Sequence, residues 1–418
     1  MRRLLQRQAT VPAAIIAAVA ALVVAANIRD ARRSRRPYTA SPPLGALGAP
    51  TTSRADLERR VAEMETRLRV HPDDSGAALL LADALLRQTR VTGNAALTGR
   101  AEQVLTRVLH DNPASYDANR QLATLYLSQH RFEEAIRVAE RNRDARPYDP
   151  INYGVIGDSH LELGHYDQAF AAFDRMMALR PGAPSYARVA YARELQGDLA
   201  GAIEAMTLAA GATSPADPEA LAWARAQAGD LYLQLGRIRE AKTEYAAASQ
   251  AFPGHPFAMM GYANAIAAEG DLTGALDLLQ RLAETSPTPD LSSRTGDLLR
   301  RLGRHDEAER QYARAEDGWR GAREPKHLAR FLADHDRRLE EAVTIAEGAA
   351  ALRHDIFTDD ALAWAYFKAG RIGEAKIAIE RALRTGSKDP AVRAHAAAIG
   401  GVGADQGRPL QAIKLGHP

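Results

Sequence analysis

His327 and the run Asp334-His335-Asp336 are the residues in this sequence that most resemble metal ligands. Imidazole nitrogens and carboxylate oxygens bind zinc and related ions when several of them converge on one point. His327 lies seven residues before Asp334, and the run falls where two helices are expected to turn. Nothing in this spacing fixes the four side chains at metal-binding geometry. The sequence therefore favours a solvated turn over a metal site.

The sequence lacks the common motifs of catalysis and cofactor binding. It contains no P-loop, no His-Glu-x-x-His pair and no Gly-x-Ser-x-Gly elbow. Gly401, Gly403 and Gly407 resemble a loosened dinucleotide-binding loop, but no strand is predicted before them. Cysteine is absent, which excludes disulfides, thiolate metal sites and cysteine nucleophiles. We therefore expect no catalytic residue, no cofactor and no metal, in a protein that is not an enzyme.

A row of mostly polar residues recurs along the chain at a nearly regular spacing. Four of its nine members are aspartate and none is basic: Asp83, Thr124, Asp158, Tyr191, Asp230, Asn264, Asp297, Phe331 and Trp364. Trp223, Phe257 and Met260 precede Asp230 and Asn264 at helical spacing. Aromatic anchors beside a polar acceptor are typical of a peptide-binding hot spot.

This row predicts a peptide-binding site whose partner is a basic or arginine-bearing segment. The predicted site residues are Asp158, Trp223, Asp230, Phe257, Met260, Asn264 and Asp297. A structural interpretation stands beside it, because most residues on a helix face are structural or merely solvated. In that interpretation Trp223 packs on the preceding repeat.

Alanine, glycine and proline reveal the elements that would position these side chains. Nine alanines recur at almost even intervals, with one longer interval after the fourth: Ala101, Ala135, Ala169, Ala202, Ala241, Ala275, Ala308, Ala342 and Ala375. Six glycines keep the same period: Gly164, Gly197, Gly236, Gly270, Gly303 and Gly370. A period of about 34 residues, sustained over nine units, predicts a helical solenoid.

The third unit shows why each repeat folds as two helices. Gly157 lies on the inner face of the first helix, and Gly164 supplies the break after it. Ala169 and Phe173 face inward from the second helix, which Pro181 ends. Small residues at Gly157 and Ala169 let the two helices approach closely, and Phe173 fills the remaining space.

This pattern resembles the tetratricopeptide repeat family over about residues 72–387. The fifth unit meets the family pattern at Gly229, Tyr232, Leu235-Gly236, Ala241, Tyr245, Ala248 and Pro253. The resemblance implies an all-α, right-handed solenoid of about nine helix-turn-helix repeats, whose first helices line a concave groove that binds a protein or peptide. The first unit departs from the pattern by extra residues around Val91–Leu97, and the eighth lacks both its glycine and its proline.

The N-terminal segment is expected to be a single transmembrane helix. Residues 11–28 are eighteen residues without a charge, long enough to span about 27 Å as a helix. Arginines flank the segment on both sides, and the larger cluster after it favours a cytoplasmic location for the repeats. A cleaved signal peptide, and hence an exported soluble repeat protein, is the alternative. The sequence gives no indication of the oligomeric state.

Five segments follow from these patterns. We expect a basic N-terminus at 1–10, the anchor at 11–28, an arginine-rich and then proline- and glycine-rich linker at 29–53, the repeat array at 54–387, and a partial repeat with a loose tail at 388–418. Residues 1–70 carry a net charge of +8 and residues 71–418 a net charge of −6. Because the folded body is acidic, we expect no nucleic-acid partner.

The function expected from shape and resemblance is that of a membrane-anchored scaffold or adaptor. A non-catalytic regulatory subunit, or a groove-binding partner, of a membrane or periplasmic enzyme is the alternative. Anchored proteins of this repeat type serve bacterial envelope assembly, which the resemblance implies for this chain as well. The lipopolysaccharide assembly factors among them carry a cysteine-bound metal module, which a chain without cysteine cannot form.

Overall fold

The computed structural model describes residues 53–322 and 324–401, and the regular elements within these ranges are twenty α-helices. In chain order they are α1 Arg54–Val70, α2 Ser75–Thr92, α3 Ala96–Asp111, α4 Tyr116–Ser128, α5 Phe132–Ala145, α6 Pro150–Glu162, α7 Tyr166–Leu179, α8 Ala183–Leu195, α9 Leu199–Ala212, α10 Pro218–Gln234, α11 Ile238–Ala251, α12 Pro256–Ala268, α13 Leu272–Thr285, α14 Pro289–Arg301, α15 His305–Arg320, α16 Pro325–Asp334, α17 Leu339–Leu352, α18 Ile356–Lys368, α19 Ile372–Ala382 and α20 Pro390–Gly400. The expected all-α solenoid is confirmed.

Local sequence explains where the helices begin and end. The Asp149 carboxylate accepts a hydrogen bond from the Ile151 amide at 3.0 Å, and Pro150 occupies the first turn of α6. All six period-marking glycines have positive φ, as at Gly164, where φ is 79°. The eighth repeat lacks this glycine and turns instead through Asp336 and Arg338, with φ of 54° and 42°.

Within residues 53–322 and 324–401, nine helix pairs, from α2–α3 to α18–α19, form the repeats, with α1 before them and α20 after them. All nine period-marking alanines are buried, each no more than 1% exposed. Among the twenty described helices, strong helix–helix contacts join those that are adjacent or next but one in the chain. The repeats therefore stack as a solenoid in which each unit packs on its neighbours.

Tyr245 shows how glycines and aromatic residues fit together within the stack. Its ring is fully buried in α11 and lies against Gly229 of α10 and Gly261 of α12. A Cβ atom at Gly229 would come within 2.5 Å of that ring. The Tyr245 hydroxyl donates a hydrogen bond to Asp230 at 2.6 Å. Tyr312, Gly296 and Asp297 repeat this arrangement in the seventh repeat.

The expected location as a single-pass membrane protein has to be corrected. Among residues 53–322 and 324–401, none of the helices combines the length and the apolar character needed to cross a bilayer. The segment that motivated the prediction, residues 11–28, lies outside the described residues. Eight of its eighteen residues are alanine, whose single methyl group adds little apolar surface compared with leucine.

Candidate binding cavity

The first helices of the repeats surround a large cavity. Its volume is about 1300 Å³, and its lining extends from Thr89 in α2 to Ala361 in α18. Helices α6, α8, α10, α12, α14, α16 and α18 all contribute side chains. The cavity exceeds the usual volume of a small-molecule site, roughly 300–1000 Å³. It has room for a segment of polypeptide.

The structure places all seven sequence-predicted site residues in the lining of this cavity. They are Asp158, Trp223, Asp230, Phe257, Met260, Asn264 and Asp297, and each is half-buried. They come together because equivalent positions of successive first helices lie side by side in a solenoid. Their role in binding a peptide stays a prediction.

Aromatic side chains give the cavity an apolar wall. Trp223 and Phe257 lie on neighbouring first helices, and Trp319, Phe331 and Phe357 extend the wall towards the C-terminal repeats. Trp223 also packs against the apolar cluster of the preceding repeat. Both interpretations of Trp223 therefore describe its surroundings: it supports the stack and lines the cavity.

The aspartates of the predicted site already have partners within the protein. Arg188 donates to Asp158 at 2.6 and 2.9 Å, the Tyr245 hydroxyl donates to Asp230, and the Tyr312 hydroxyl donates to Asp297 at 3.0 Å. These bonds hold the aspartates within the protein, and their role towards a basic partner stays a prediction. A half-buried carboxylate is costly unless it is hydrogen-bonded, which explains the pairing.

The identity of the aromatic residue in the second helix decides which partner the aspartate takes. Tyr245 and Tyr312 each lie fifteen residues after the aspartate they bind. In the third repeat the residue that fills this gap is Phe173, packed against Gly157, and it has no hydroxyl. Asp158 binds Arg188 of the next repeat instead. The fifteen-residue spacing of Asp and Tyr was the sequence signal for these pairs.

The cavity lining carries more negative than positive side chains. Among the described residues nine carboxylates line it, together with five cationic side chains: Arg90, Arg188, Arg294, Lys326 and Arg330. Hydrogen bonds from tyrosine leave the charge of an aspartate in place, because the tyrosine hydroxyl is neutral. The lining therefore has an excess of carboxylates over cationic side chains, although most of these carboxylates are hydrogen-bonded or ion-paired.

In the run Asp334-His335-Asp336 the side chains of Asp334 and His335 are only 7% and 5% exposed, so the expectation of a solvated turn was wrong for two of the three residues. The His335 ring lies between Tyr312 and Phe331, with Nε2 at 3.0 Å from an Asp297 oxygen. Asp334 accepts a hydrogen bond from the Trp364 indole at 2.9 Å. Packing between neighbouring repeats buries both side chains, and Asp336 alone stays exposed. The described residues contain no cluster of three or more potential ligands placed to hold a metal ion.

His327, the fourth residue of that candidate metal site, has a different environment. Its ring stacks on Trp319 with 5.0 Å between ring centroids, and both line the cavity. Burial, assisted by the nearby charges of Lys326 and Arg330, lowers the pKa of His327 to about 3. The neutral imidazole therefore belongs to the aromatic wall at physiological pH.

Lowering the pH from 6.5 to 5.5 is expected to reduce the free energy of unfolding through His255. This residue precedes α12 and is 1% exposed, and burial lowers its pKa to about 4, with Arg90 assisting and Glu219 opposing. The unfolded chain therefore binds a proton on His255 near pH 6.5, whereas His255 stays neutral in the folded protein at that pH. The stabilisation is complete above pH 6.5 and is lost as the pH falls towards 4, at about 1.4 kcal/mol per pH unit.

Urea denaturation at the two pH values, for the wild type and His255→Leu, measures this contribution. The leucine variant is expected to lose less stability on acidification than the wild type, because it has no imidazole to protonate. Within the described part of the chain the Nδ1 atom of His255 has no hydrogen-bond partner, so an apolar replacement removes no bond at that atom. Equal losses in both proteins would contradict the role of His255.

Comparisons with known proteins identify the repeat and the fold. Models of the tetratricopeptide repeat match residues 98–152 and 226–290. A chain of the APC/C hetero-tetramer Cut9-Hcn1 is similar with a TM-score of 0.52 at 15% identity, over 84% of this chain and 60% of that chain. The human IFIT1 dimer with m7Gppp-AAAA is similar with a TM-score of 0.51 at 14% identity, over 80% of this chain and 78% of that chain.

These findings establish the fold rather than a specific activity. Similarity at such low identity extends to the architecture alone, and the chain spans 60% of the length of the Cut9-Hcn1 chain it matches. Among curated proteins, none matches the sequence. The chain contains tetratricopeptide repeats and folds as a helical-repeat scaffold.

Proposed function

We propose that this tetratricopeptide-repeat scaffold is a non-catalytic adaptor that binds an extended segment of another protein in its cavity. The observation that carries the proposal is the cavity of about 1300 Å³, to which the first helices of successive repeats contribute. Repeat solenoids use such inner surfaces to bind other proteins. An extended segment fits this surface because equivalent positions recur along it, one repeat after another.

The proposed partner segment carries apolar anchors and a net positive charge. Trp223 and Phe257 offer large aromatic faces, the kind of surface that dominates binding energy at protein interfaces. The nine carboxylates against five cationic side chains favour a positively charged ligand. The carboxylates already have partners within the protein, so we do not expect each one to form an ion pair with a cation of the segment. Their combined electrostatic field attracts the positively charged segment as a whole.

A nucleic acid does not fit this cavity electrostatically. The human IFIT1 structure holds a capped oligonucleotide, m7Gppp-AAAA, and its fold is similar to that of this chain. A ligand of that kind needs cationic side chains around its phosphates. An excess of carboxylates would repel them, so the proposal is restricted to a protein partner.

Charge substitutions at Asn264 test the partner's chemistry. Asn264 is half-buried in α12 and lines the cavity. Two short fluorescent peptides serve as probes, one with arginines around a tryptophan and one with glutamates in their place. We expect Asn264→Lys to weaken binding of the arginine peptide and Asn264→Asp to strengthen it, since the two changes shift the charge in opposite directions.

These measurements show whether binding depends on the negative charge of the cavity. Affinity for the arginine peptide is expected to fall with rising salt, since partly exposed charges are screened. Equal affinity of both variants for both peptides would contradict the acidic cavity as the binding surface. Asp230 is unsuitable for this test because replacing it removes the acceptor of the Tyr245 hydroxyl and disturbs the fold.

A further inference from the structure

Four turns of the N-terminal repeats contact loops that belong to repeats much further along the chain. Gly93 faces Thr288, His130 faces Glu324, Gly164 faces His354 and Gly197 faces Gly386. Each turn joins the two helices of one repeat, and each loop precedes the first helix of a later unit. The solenoid therefore closes on itself along a line that we call the seam.

The glycines of the seam are required for the contact as well as for the turn. A Cβ atom at Gly164 would overlap the carbonyl oxygen of His354, and one at Gly197 would overlap that of Gly386. Gly236 and Gly303 have similar positive φ values, yet a Cβ atom there would meet open space. All four glycines thus adopt the same turn geometry. A close approach to the backbone of a distant loop occurs at Gly164 and Gly197, which lie in the seam.

Polar and apolar groups reinforce the seam at its third contact. The Ile356 amide donates a hydrogen bond to the Tyr166 hydroxyl at 2.9 Å. The Ile356 side chain is fully buried in a cluster with Leu161 and Leu195 of the third and fourth repeats. Glu162 lies 3.8 Å from the ammonium group of Lys326. The seam is thus a packed interface between distant repeats.

The seam also forms one wall of the cavity. Gly93, His130, Glu162, Glu324 and Lys326 belong both to the contacts across the seam and to the cavity lining. While the seam is closed, a polypeptide cannot enter the cavity from that side. A partner whose binding segment lies within a longer chain would need either to thread through the cavity or to find this wall open.

Parting the turn-to-loop contacts of the seam would leave the packing within each repeat in place. Among the described helices, the strong helix–helix contacts all join helices close in sequence, and the third and fourth contacts of the seam join a turn to a loop, at Gly164 and Gly197. Nearer the N-terminus, helices also take part, since Leu57 and Val91 share a buried core with α10 to α12. The stability of a solenoid is carried by each repeat and its nearest neighbours. Small rotations between successive repeats, added together, would part the turn-to-loop contacts while each helix pair stays packed.

We propose that the seam is a latch, which opens to admit a polypeptide segment sideways into the cavity and then closes over it. A latch accounts for turn-to-loop contacts at Gly164 and Gly197 that are reinforced by the buried Ile356 and the hydrogen bond from its amide. The latch serves the cavity of the proposed function. Its test uses no partner, so its failure would leave the peptide-binding proposal standing.

A single cysteine inside the cavity reports on the latch. The natural chain has no cysteine, so Asn264→Cys creates a unique thiol in the lining. Its modification is followed with a small methanethiosulfonate reagent and with a maleimide bearing a polyethylene-glycol chain. In this background Gly164→Asn introduces a side chain at the seam, and Gly236→Asn makes the same change at a turn outside it.

We expect Gly164→Asn to raise the population of the open state about tenfold or more. The rate of reaction with the bulky maleimide should rise by the same factor, because that reagent reaches the thiol in the open state. Gly236→Asn is expected to leave that rate unchanged, and the small reagent to react similarly in all variants. Tyr166→Phe, which removes the hydroxyl that binds the Ile356 amide, should give a smaller acceleration in a folded protein. Equal bulky-reagent rates in both glycine variants and in Tyr166→Phe, with helicity retained, would overturn the latch.

Discussion

Replacing Tyr245 with alanine is expected to lower the free energy of unfolding by about 3–5 kcal/mol, the usual cost of removing a buried aromatic side chain. The ring is 0% exposed and lies where Gly229 and Gly261 leave room for it. The neighbouring glycines have no side chains that could move into the cavity left behind. The fifth and sixth repeats should therefore lose their packing together, and urea denaturation followed by circular dichroism measures the loss.

Two variants control this prediction. Tyr245→Phe keeps the ring and removes only the hydrogen bond to Asp230, at an expected cost of about 0.5–1.5 kcal/mol. Tyr148→Ala removes a tyrosine that is 68% exposed and should leave stability nearly unchanged. If Tyr245→Ala were no more destabilising than Tyr148→Ala, the assignment of Tyr245 as the filler between adjacent repeats would be wrong.

Trp223→Ala is expected to weaken binding of the arginine peptide by about 30-fold, which corresponds to the roughly 2 kcal/mol that defines a hot spot. The indole lies half-buried in the cavity lining, to which the half-buried Phe257 of the next first helix also contributes. Removing it takes away the largest aromatic face of the fifth repeat. Fluorescence anisotropy titration measures the affinity, and circular dichroism checks that the fold persists.

A matched control distinguishes the loss of a binding contact from a general effect on the fold. Leu208 is 51% exposed in α9 and does not line the cavity, so Leu208→Ala should bind the peptide as the wild type does. Because Trp223 also packs on the preceding repeat, Trp223→Phe is included to preserve part of that packing. Undiminished binding by a folded Trp223→Ala protein would remove Trp223 from the proposed site.

The repeat architecture could be predicted from sequence because it depends on short-range spacing. Ala241 and its eight equivalents are buried wherever a second helix crosses its partner, and the turn glycines adopt left-handed φ as expected. The seven predicted site residues line one cavity for the same reason. Once the place of a residue within one repeat is known, the repeat period gives the equivalent place in every other repeat.

The pairing of side chains and the closure of the solenoid could not be predicted in this way. Arg188 binds Asp158 from the next repeat, and His335 approaches Asp297 across 38 residues. The contact of Gly164 with His354 depends on small rotations added over several repeats, which local spacing does not determine. The eighth-repeat turn was misjudged because its burial comes from neighbouring repeats.

Site-specific photo-crosslinking in the natural host tests most directly whether the cavity binds a partner segment. A benzophenone amino acid is placed at Met260 in the cavity lining or at Leu208 outside it, and the crosslinked peptides are sequenced. We expect Met260 to crosslink to one contiguous segment of a partner protein, rich in arginine or lysine around an apolar residue, and Leu208 not to reach that segment. Crosslinking of the partner from Leu208 and not from Met260 would contradict binding in the cavity.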